Sequence, residues 1–210
     1  MLPKVVQVFR KEFPKVRIAL QQSTPEHIAE WVLSGKADIG IATEGLSQFE
    51  DLVSFPCYRW HHSVVVPDGH PLLEKKLITL ADLAQYSLIT YDLGFTGRGH
   101  IDDAFKQADI TTDIVLTAMD SDVIQQYVLL NLGVGIVASM ALQQNGSNGL
   151  KVIDASHLFA QNVTRLAVRR GAYLRQYTYD FIQQFAPELT RADIDAVSYT
   201  HLRAHETGRN

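Results

Sequence analysis

The chain has 210 residues, of which 46% are hydrophobic and 20% charged, so it holds enough apolar material for one or two cores and is not mainly disordered. Its net charge is −4, with 19 Lys and Arg against 23 Asp and Glu, which excludes the basic excess of a self-sufficient nucleic-acid binder. No apolar run reaches the roughly 20 residues of a membrane span. The first residues lack the apolar core of a signal peptide. Cys57 is the single cysteine, which excludes an internal disulfide. We therefore expect a cytoplasmic protein.

The first quarter of the chain predicts alternating helices and strands. In order, the spacing of apolar residues predicts a helix over 2–13, a strand over 16–20, a helix from Pro25 to the C′ glycine Gly35, and a strand over 37–42. Thr24 is the expected N-cap of the second helix, because Pro25 follows it at the first helical position. The order strand, helix, strand is a βαβ unit and favours a parallel sheet.

The alternation continues through the rest of the chain. The predicted strands cover 52–55, 63–66, 88–91, the region of 114–116, 134–138, 152–154 and 163–168. Helices are predicted from Thr79 to Tyr86, along Ile101–Ala108, from Asp120 to Gly133, along Leu174–Phe185, and from the capping pair Thr190/Asp193 to about Val197. The loop over 145–149 is rich in Asn and Gly. Two copies of a small parallel-sheet unit account for these elements.

The domain organisation follows from this count. We expect an α/β fold with one lobe formed by residues 1–57 and 161–197 and an inserted lobe formed by 58–160, the chain crossing between them near 55–60 and 158–164. Residues 198–210 are polar and have no helical or strand period. They differ from the C-terminal tail of the family that the rest of the chain resembles (named below), so we expect a non-native extension, with a strand over 198–202 as the alternative.

Several motifs suggest chemistry but have simpler interpretations. The run from Gly133 to Ala138 matches the dinucleotide fingerprint only in its letters, since a helix precedes it and a strand follows, so we favour a helix end leading into a buried strand. His61, His62 and His70 lack metal-ligand spacing and are interpreted as solvated or hydrogen-bonded. Cys57 is expected to be buried and inert. We find no nucleophile or acid–base pair, and predict no enzyme, metal or cofactor.

Small hydroxyl residues lie where ligands bind in open α/β sheets. Ser23 and Thr24 precede a helix, Thr43 follows the strand over 37–42, and Thr96 lies between two glycines ahead of another helix. Helix N-termini and the carboxyl ends of strands collect at the ligand crevice and favour anions. Each residue alone is typical of a cap, while their joint placement makes an anion site and simple capping equally strong interpretations.

Six stretches resemble the effector-binding domain of LysR-type transcriptional regulators. They are Ala37–Glu44, Phe55–Trp60, Gly94–Arg98, Asp120–Ile124, Leu132–Ala138 and Tyr179–Pro187. Together they extend over nearly all of residues 2–197. The Phe-Thr-Gly-Arg run and the Asp-Phe-Ile-Gln-Gln-Phe-Ala-Pro run are typical of the cysteine-regulon subgroup of CysB and Cbl, and the resemblance favours CysB.

The resemblance implies two Rossmann-like subdomains joined by crossover strands, as in type-II periplasmic binding proteins, with an effector in the cleft between them. Anion contacts in this subgroup come from threonines and a tryptophan, which correspond to Thr43, Thr96 and Trp60, while Ser23 and Thr24 match a loop facing the same cleft. The implied effectors are sulfate, acetylserine, thiosulfate or adenosine phosphosulfate. The family's first strand, its threonine-rich loop and its helix-turn-helix have no counterpart in these residues.

The resemblance also implies partners. We expect a homodimer or homotetramer, with Leu2/Val5/Phe9 and Val123/Tyr127 as candidate faces, DNA contact only through the helix-turn-helix, and no membrane. The alternative function is a solute-binding receptor of the periplasmic-binding-protein type.

Overall fold

The structure is a computed structural model that describes residues 2–43, 45–95, 97–142 and 149–199, excluding the side chains of 197–199. The chain divides into two compact units. Unit 1 consists of residues 1–58 and 164–210, and unit 2 of residues 59–163. The chain passes from one unit to the other at two points, between Tyr58 and Arg59 and between Val163 and Thr164.

Helices and strands alternate as the sequence predicts. The helices are α1 (Leu2–Glu12), α2 (Pro25–Leu33), α3 (Leu80–Leu83), α4 (Arg98–Gln107), α5 (Ser121–Leu129), α6 (Ser139–Leu142), α7 (Gln176–Phe185) and α8 (Arg191–Tyr199). The strands are β1 (Gly40–Ala42), β2 (Leu52–Trp60), β3 (His62–Pro67), β4 (Leu88–Tyr91), β5 (Ile114–Ala118), β6 (Val134–Ala138), β7 (Leu150–Asp154) and β8 (Asn162–Arg169). None of the described helices is both long and apolar enough to cross a bilayer.

Unit 2 contains a five-stranded mixed sheet in the order β5-β4-β6-β3-β7. Strand β4 runs parallel to β5 and to β6, while β3 runs antiparallel to β6 and β7. Strands β4 and β6 are buried along their whole length, as expected for the centre of a covered α/β sheet. A continuous apolar core forms on them, including Val64, Leu88, Ile101, Phe105 and Ile136.

Two glycines that suggested a dinucleotide fingerprint have packing roles in unit 2. A Cβ on Gly133 would lie 2.5 Å from the backbone oxygen of Ser87, and a Cβ on Gly135 would lie 2.5 Å from Val65 and 2.8 Å from Val128. Gly133 before β6 and Gly135 within β6 therefore allow a close approach that a side chain would prevent. The interpretation of this run as a helix end followed by a buried strand is confirmed.

Unit 1 has a smaller sheet in the order β1-β8-β2, in which β1 and β8 are antiparallel. Helix α7 packs the apolar side chains of Tyr179, Ile182 and Phe185 against this unit's core, and α2 contributes Ala29 and Val32 to a second cluster. Val5 and Phe9 of α1 are buried as well, with 8% and 2% exposure. The α1 face named for self-association is therefore mostly core.

The strand predicted over 16–20 is not a strand in the structure. The segment is an irregular chain without ladder hydrogen bonds, although its apolar residues alternate. Alternation indicates which faces a strand would present, but a strand also needs a neighbour to bond, and none of the described residues pairs with this segment. The βαβ unit and the parallel sheet predicted for this region are accordingly not formed by the described residues, and the parallel pairs lie in unit 2.

Other boundaries shift modestly. Strand β1 begins at Gly40 instead of Ala37, and α3 ends at Leu83 instead of Tyr86. Thr79 caps α3 as predicted, and Asp82 completes a capping box with it. Thr190 and Asp193 form the predicted reciprocal cap of α8, with Asp193 Oδ2 accepting from the Thr190 amide at 2.9 Å. Helix α8 continues to Tyr199, so the backbone at 198–199 is helical and not part of a stray strand. Residues 200–210 and most of the loop over 145–149 lie outside the described residues.

Candidate functional site

The carboxyl edge of the unit 2 sheet brings three helix starts together. Parallel strands β4, β5 and β6 end at Tyr91, Ala118 and Ala138, and each is followed by a helix, α4, α5 or α6. Because parallel strands end at the same edge, the N-termini of these helices follow one edge of the sheet. Such an edge is the usual place for a ligand in an open α/β sheet.

The three helix starts differ in charge. Helix α5 has Asp120 at its N-cap and Asp122 in its first turn, and both carboxylates oppose a bound anion. Helix α6 is only 4 residues long. Helix α4 has no acidic residue in its first turn, its N-cap is Gly97, and no side chain among the described residues caps it. Of these three starts, only that of α4 combines a full-length helix dipole with a surrounding that favours an anion.

A buried arginine, Arg98, lies at the start of α4. Arg98 is the first residue of the helix and is only 8% exposed. Its Nε donates to Asp102 Oδ1 at 2.7 Å, and its Nη1 donates to the Tyr91 carbonyl at 2.6 Å. A cation at a helix N-terminus is unfavourable for the helix itself. The carboxylate of Asp102 and the carbonyl of Tyr91 offset this cost and fix the guanidinium at the end of β4.

Tyr91 stabilises the same edge of the sheet through a hydrogen bond. Its hydroxyl accepts a hydrogen bond from the Ala138 amide at 3.0 Å and so ties β4 to the end of β6. Burial raises the pKa of Tyr91 to about 12, and the carboxylates of Asp120 and Asp122 also raise it. The phenol is therefore neutral at ordinary pH and acts as a structural hydrogen-bonding group.

Trp60 and His62 lie at this edge because of the register of β3. His62 is opposite Ala138, the last residue of β6, and the His61 carbonyl accepts from the Ser139 amide at 2.9 Å. Trp60 is 5% exposed, and its ring meets the His62 ring edge-on at 5.1 Å between centroids. Trp60, which the resemblance names as an anion contact, thus belongs to unit 2, near the end of β6.

The hydroxyl residues of unit 1 collect around the start of α2. Thr24 is its N-cap, and the Thr24 hydroxyl accepts from the His27 amide at 3.4 Å. The Ser23 hydroxyl lies 3.1 Å from Nδ1 of His27. A Cβ at Gly45 would lie 3.0 Å from Pro25, so the turn that follows Thr43 packs on the first residue of the same helix.

The structure therefore groups Ser23, Thr24 and Thr43 in unit 1 and places Trp60 in unit 2. Thr96 lies outside the described residues, although its neighbour Gly97 is described. A cavity of about 680 Å³ also exists in unit 1, between α1 and the segment over 14–20, but it is lined by none of the five predicted site residues.

The sequence interpretation missed Arg98, His62 and Asn162 as members of this region. Arg98 was visible as a charged residue beside Gly97 at a helix start, but its burial depends on the carbonyl of Tyr91, which no local pattern reveals. Adjacent histidines on a strand were expected to point to opposite faces. His61 is 41% exposed at its side chain, whereas His62 is fully buried.

Cys57 is half-buried, and burial raises the pKa of its thiol to about 11, which fits the inert interpretation. Asn162, the first residue of an Asn-Val-Thr sequence, is fully buried and is therefore no glycosylation acceptor in the folded chain. No group of three or more His, Cys, Asp or Glu side chains within the described ranges is arranged to hold a metal ion.

The family model of the LysR substrate binding domain matches residues 1–190. The chain belongs to this family, and its fold is that of a LysR effector-binding domain, which is similar to type-II periplasmic binding proteins. The relatives that the chain matches in this family are named as transcriptional regulators and not as enzymes. The family resemblance and the fold class predicted from the sequence are confirmed.

Two curated relatives come from Burkholderia cenocepacia. The chain is 52% identical to the HTH-type transcriptional regulator SsuR over 193 residues, which are 92% of this chain and 63% of SsuR. It is 50% identical to the regulator CysB over 205 residues, which are 98% of this chain and 66% of CysB. The chain thus spans less than two thirds of either relative, and the two identities are too close to decide between them.

The solved cofactor-binding domain of the Cbl transcriptional regulator is similar in structure. It superimposes with a TM-score of 0.90 at 44% identity, and the match covers 95% of this chain and 88% of the Cbl domain. The effector-binding domain of QuiR, solved in complex with shikimate, has a TM-score of 0.74 at 22% identity, which shows the shared fold alone.

Proposed function

We propose that this chain is the effector-sensing domain of a regulator of sulfur assimilation and cysteine biosynthesis, and that it binds a small sulfur-pathway anion. Sulfate, thiosulfate, acetylserine and adenosine phosphosulfate are the candidate ligands. The similarity to SsuR, CysB and Cbl supports the regulatory class. The start of α4 supports the anion.

The single observation that carries the proposal is the chemistry at this helix start. Gly97 caps α4 without a side chain, the first turn has no acidic residue, and Arg98 is buried beside it. Gly99, the second residue of the helix, is exposed, so a ligand can approach the backbone closely. The Arg98 and His100 amides already donate to the Phe95 and Gly97 carbonyls, at 2.9 and 3.1 Å. The helix dipole and the Arg98 guanidinium are therefore the groups that favour a tetrahedral oxyanion here.

We assign the remaining roles by position. Thr43 and Thr96 donate hydroxyl hydrogen bonds to the anion, and the Trp60 ring forms one side of the site. Ser23 and Thr24 make weaker contributions, because both side chains already interact with His27.

The full-length protein is proposed to act in the cytoplasm. Both Burkholderia relatives are named HTH-type regulators and exceed this chain in length. We propose that DNA contact uses a helix-turn-helix outside residues 1–210, because this chain carries fewer basic than acidic residues. We therefore expect no sequence-specific retention of promoter DNA by this chain at moderate salt.

Thermal unfolding with and without ligand tests the effector proposal. Sulfate, thiosulfate and acetylserine are added separately, and sodium chloride at equal ionic strength is the control. A ligand at 100 times its dissociation constant adds about 2.7 kcal/mol to the free energy of unfolding. At least one anion is expected to raise the unfolding temperature above the chloride control. Identical curves for all three anions and chloride contradict the proposal.

Self-association into a homodimer or homotetramer is also proposed. Val123 and Tyr127 of α5 are 42% and 36% exposed, and Leu130 directly after the helix is 68% exposed. These residues, spaced four and three apart, form one apolar strip. Light scattering at tens of micromolar is expected to give a mass above 23.5 kDa, and Val123→Asp is expected to lower it. A monomer mass for the unaltered chain contradicts self-association.

A further inference from the structure

A buried polar contact links the first residues of β3 and β8. His62 and Asn162 are both fully buried, and Asn162 Nδ2 lies 3.4 Å from His62 Nδ1. The rings of Trp60 and Phe159 meet the His62 ring edge-on, at 5.1 and 5.7 Å between centroids. The imidazole is therefore fixed by aromatic neighbours, and it orients the Asn162 amide.

The other end of the Asn162 amide lies against the start of α4. The Asn162 Oδ1 atom is 1.9 Å from the point that a Cβ on Gly97 would occupy. Gly97 has φ +69°, which disfavours other residues independently of the available space. The amide oxygen thus fills the volume of the missing side chain and contacts the turn directly.

This oxygen has no hydrogen-bond partner among the described residues. A buried carbonyl without a donor costs free energy, and a hydrocarbon side chain of similar size would fill the same space without that cost. The amide of Asn162 at this position therefore indicates that the residue does more than fill the space beside Gly97.

We propose that Asn162 is a positioning residue for anion binding. Its amide holds Gly97, and with it the first turn of α4, in the orientation that receives the effector, and His62 fixes the amide from behind. This inference rests on the proposed function, since it assigns a role to residues beside the same helix start.

The test measures two quantities for each variant of the 210-residue chain. One is the dissociation constant for sulfate by calorimetry, and the other is the unfolding temperature without sulfate. The variants are Asn162→Ala, Asn162→Ser, Gly97→Ala and the double variant Gly97→Ala/Asn162→Ala. Thr90→Val is the control, because Thr90 is a buried residue of the same unit that donates to the Ile136 carbonyl at 3.2 Å.

We expect Asn162→Ala and Asn162→Ser to weaken sulfate binding at least tenfold, whereas Thr90→Val lowers the unfolding temperature and leaves the dissociation constant unchanged. Gly97→Ala is expected to lose both stability and binding, because its Cβ collides with the amide. In the double variant the collision is gone, so the unfolding temperature partly recovers while sulfate binding does not. A purely structural role of Asn162 predicts recovery of both.

The outcomes separate the two proposals. If the unaltered chain binds sulfate and both Asn162 variants bind it within twofold of that value, the positioning role is wrong and the proposed function stands. If the unaltered chain binds no sulfate, thiosulfate or acetylserine, the proposed function fails and the positioning role fails with it. If Asn162→Ala does not fold, the sulfate dissociation constant of Asn162→Ser decides whether the positioning role is right.

Discussion

The starts of α2 and α4 are built in opposite ways. Helix α2 has Thr24 as a side-chain cap, Pro25 as its first residue and Glu26 in its first turn. Helix α4 has a glycine at its N-cap and no acidic residue in its first turn, and none of the side chains that the structure describes caps it. The side chains of unit 1 satisfy and partly neutralise the positive end of α2, whereas the start of α4 carries the buried Arg98, which is paired with Asp102.

This difference separates helix starts that are merely stabilised from one that is suited to a ligand. A capping hydroxyl uses a backbone donor that a ligand would otherwise bind, and a first-turn carboxylate offsets the dipole that attracts an anion. Both features stabilise α2 and are missing at α4. The residues of interest therefore divide into neutral hydroxyl residues around α2 in unit 1 and the charged Arg98 at the start of α4 in unit 2. Five variants, besides two controls, test this comparison.

The largest effect is expected for Arg98→Met. The change removes the guanidinium and leaves the Asp102 carboxylate beside the helix start without its partner. One lost charge-assisted bond costs about 1.5–3 kcal/mol, and with the carboxylate now facing the anion we expect sulfate affinity to fall about 100-fold or more.

Lys75→Met is the matched control for Arg98→Met, because it removes an exposed ion pair with Asp82 elsewhere in unit 2. Such a pair contributes at most about 1 kcal/mol, and its loss is expected to leave the sulfate dissociation constant unchanged in calorimetry. Equal binding by both variants contradicts the role of Arg98.

The second-largest expected effect is a loss of stability in alkaline solution that is caused by Tyr91. Since its pKa rises from 10.0 to about 12 on folding, the folded state favours the neutral phenol. This contribution is complete below pH 10 and is lost as pH rises towards 12, by about 2–3 kcal/mol in total. Urea unfolding from pH 9 to 12 is expected to show a steeper loss of stability for the unaltered chain than for Tyr91→Phe. Parallel curves contradict a buried, neutral Tyr91.

Thr96→Val and Thr43→Val come third. Each removes one hydroxyl donor to the anion, at about 1.5–3 kcal/mol, so we expect sulfate affinity to fall roughly 10- to 100-fold with little change in stability. Thr111→Val, at an exposed position before β5, is the control and is expected to have no effect on binding. A lower unfolding temperature with unchanged affinity would instead indicate that these threonines only close turns.

The smallest effect on binding is expected for Thr24→Ala. Loss of the cap costs about 1 kcal/mol of stability, because the His27 amide loses its acceptor. Sulfate affinity is expected to change by less than about threefold, which is under 1 kcal/mol. A tenfold loss measured by calorimetry would make Thr24 a direct contact and would remove the contrast between the two helix starts.

Local sequence patterns predicted most of the fold, because most helices and strands carry their own spacing of apolar residues or their own capping residues. The apolar runs over 88–91 and 134–138 coincide with β4 and β6. Thr79 caps α3, and the pair Thr190/Asp193 caps α8, as expected. The segment over 16–20 carries a strand's alternation and still forms no strand. Hydrogen bonding between strands is a property of the neighbour as much as of the segment, and alternation reports only on the segment.

The candidate site was predictable only in part for a similar reason. Hydroxyl residues before helices are visible as a pattern, and the prediction that Thr24 precedes the start of α2 as its cap is confirmed. The burial of Arg98 and the contact of Asn162 with Gly97 join residues that are 7 and 65 positions apart through the packing of unit 2. No spacing rule encodes such contacts, whereas the family resemblance pointed to the Phe-Thr-Gly-Arg run without assigning a role to its arginine.

A sulfate titration of the isotopically labelled chain followed by amide NMR tests the central claim most directly. The amide signals of Gly97, Gly99 and His100 at the start of α4 are expected to shift together along one saturable curve. Those of Glu26 and His27 at the start of α2 are expected to move much less. Saturable shifts confined to the start of α2, or no saturable shift at the start of α4, would contradict the claim that α4 provides the charged centre of the site.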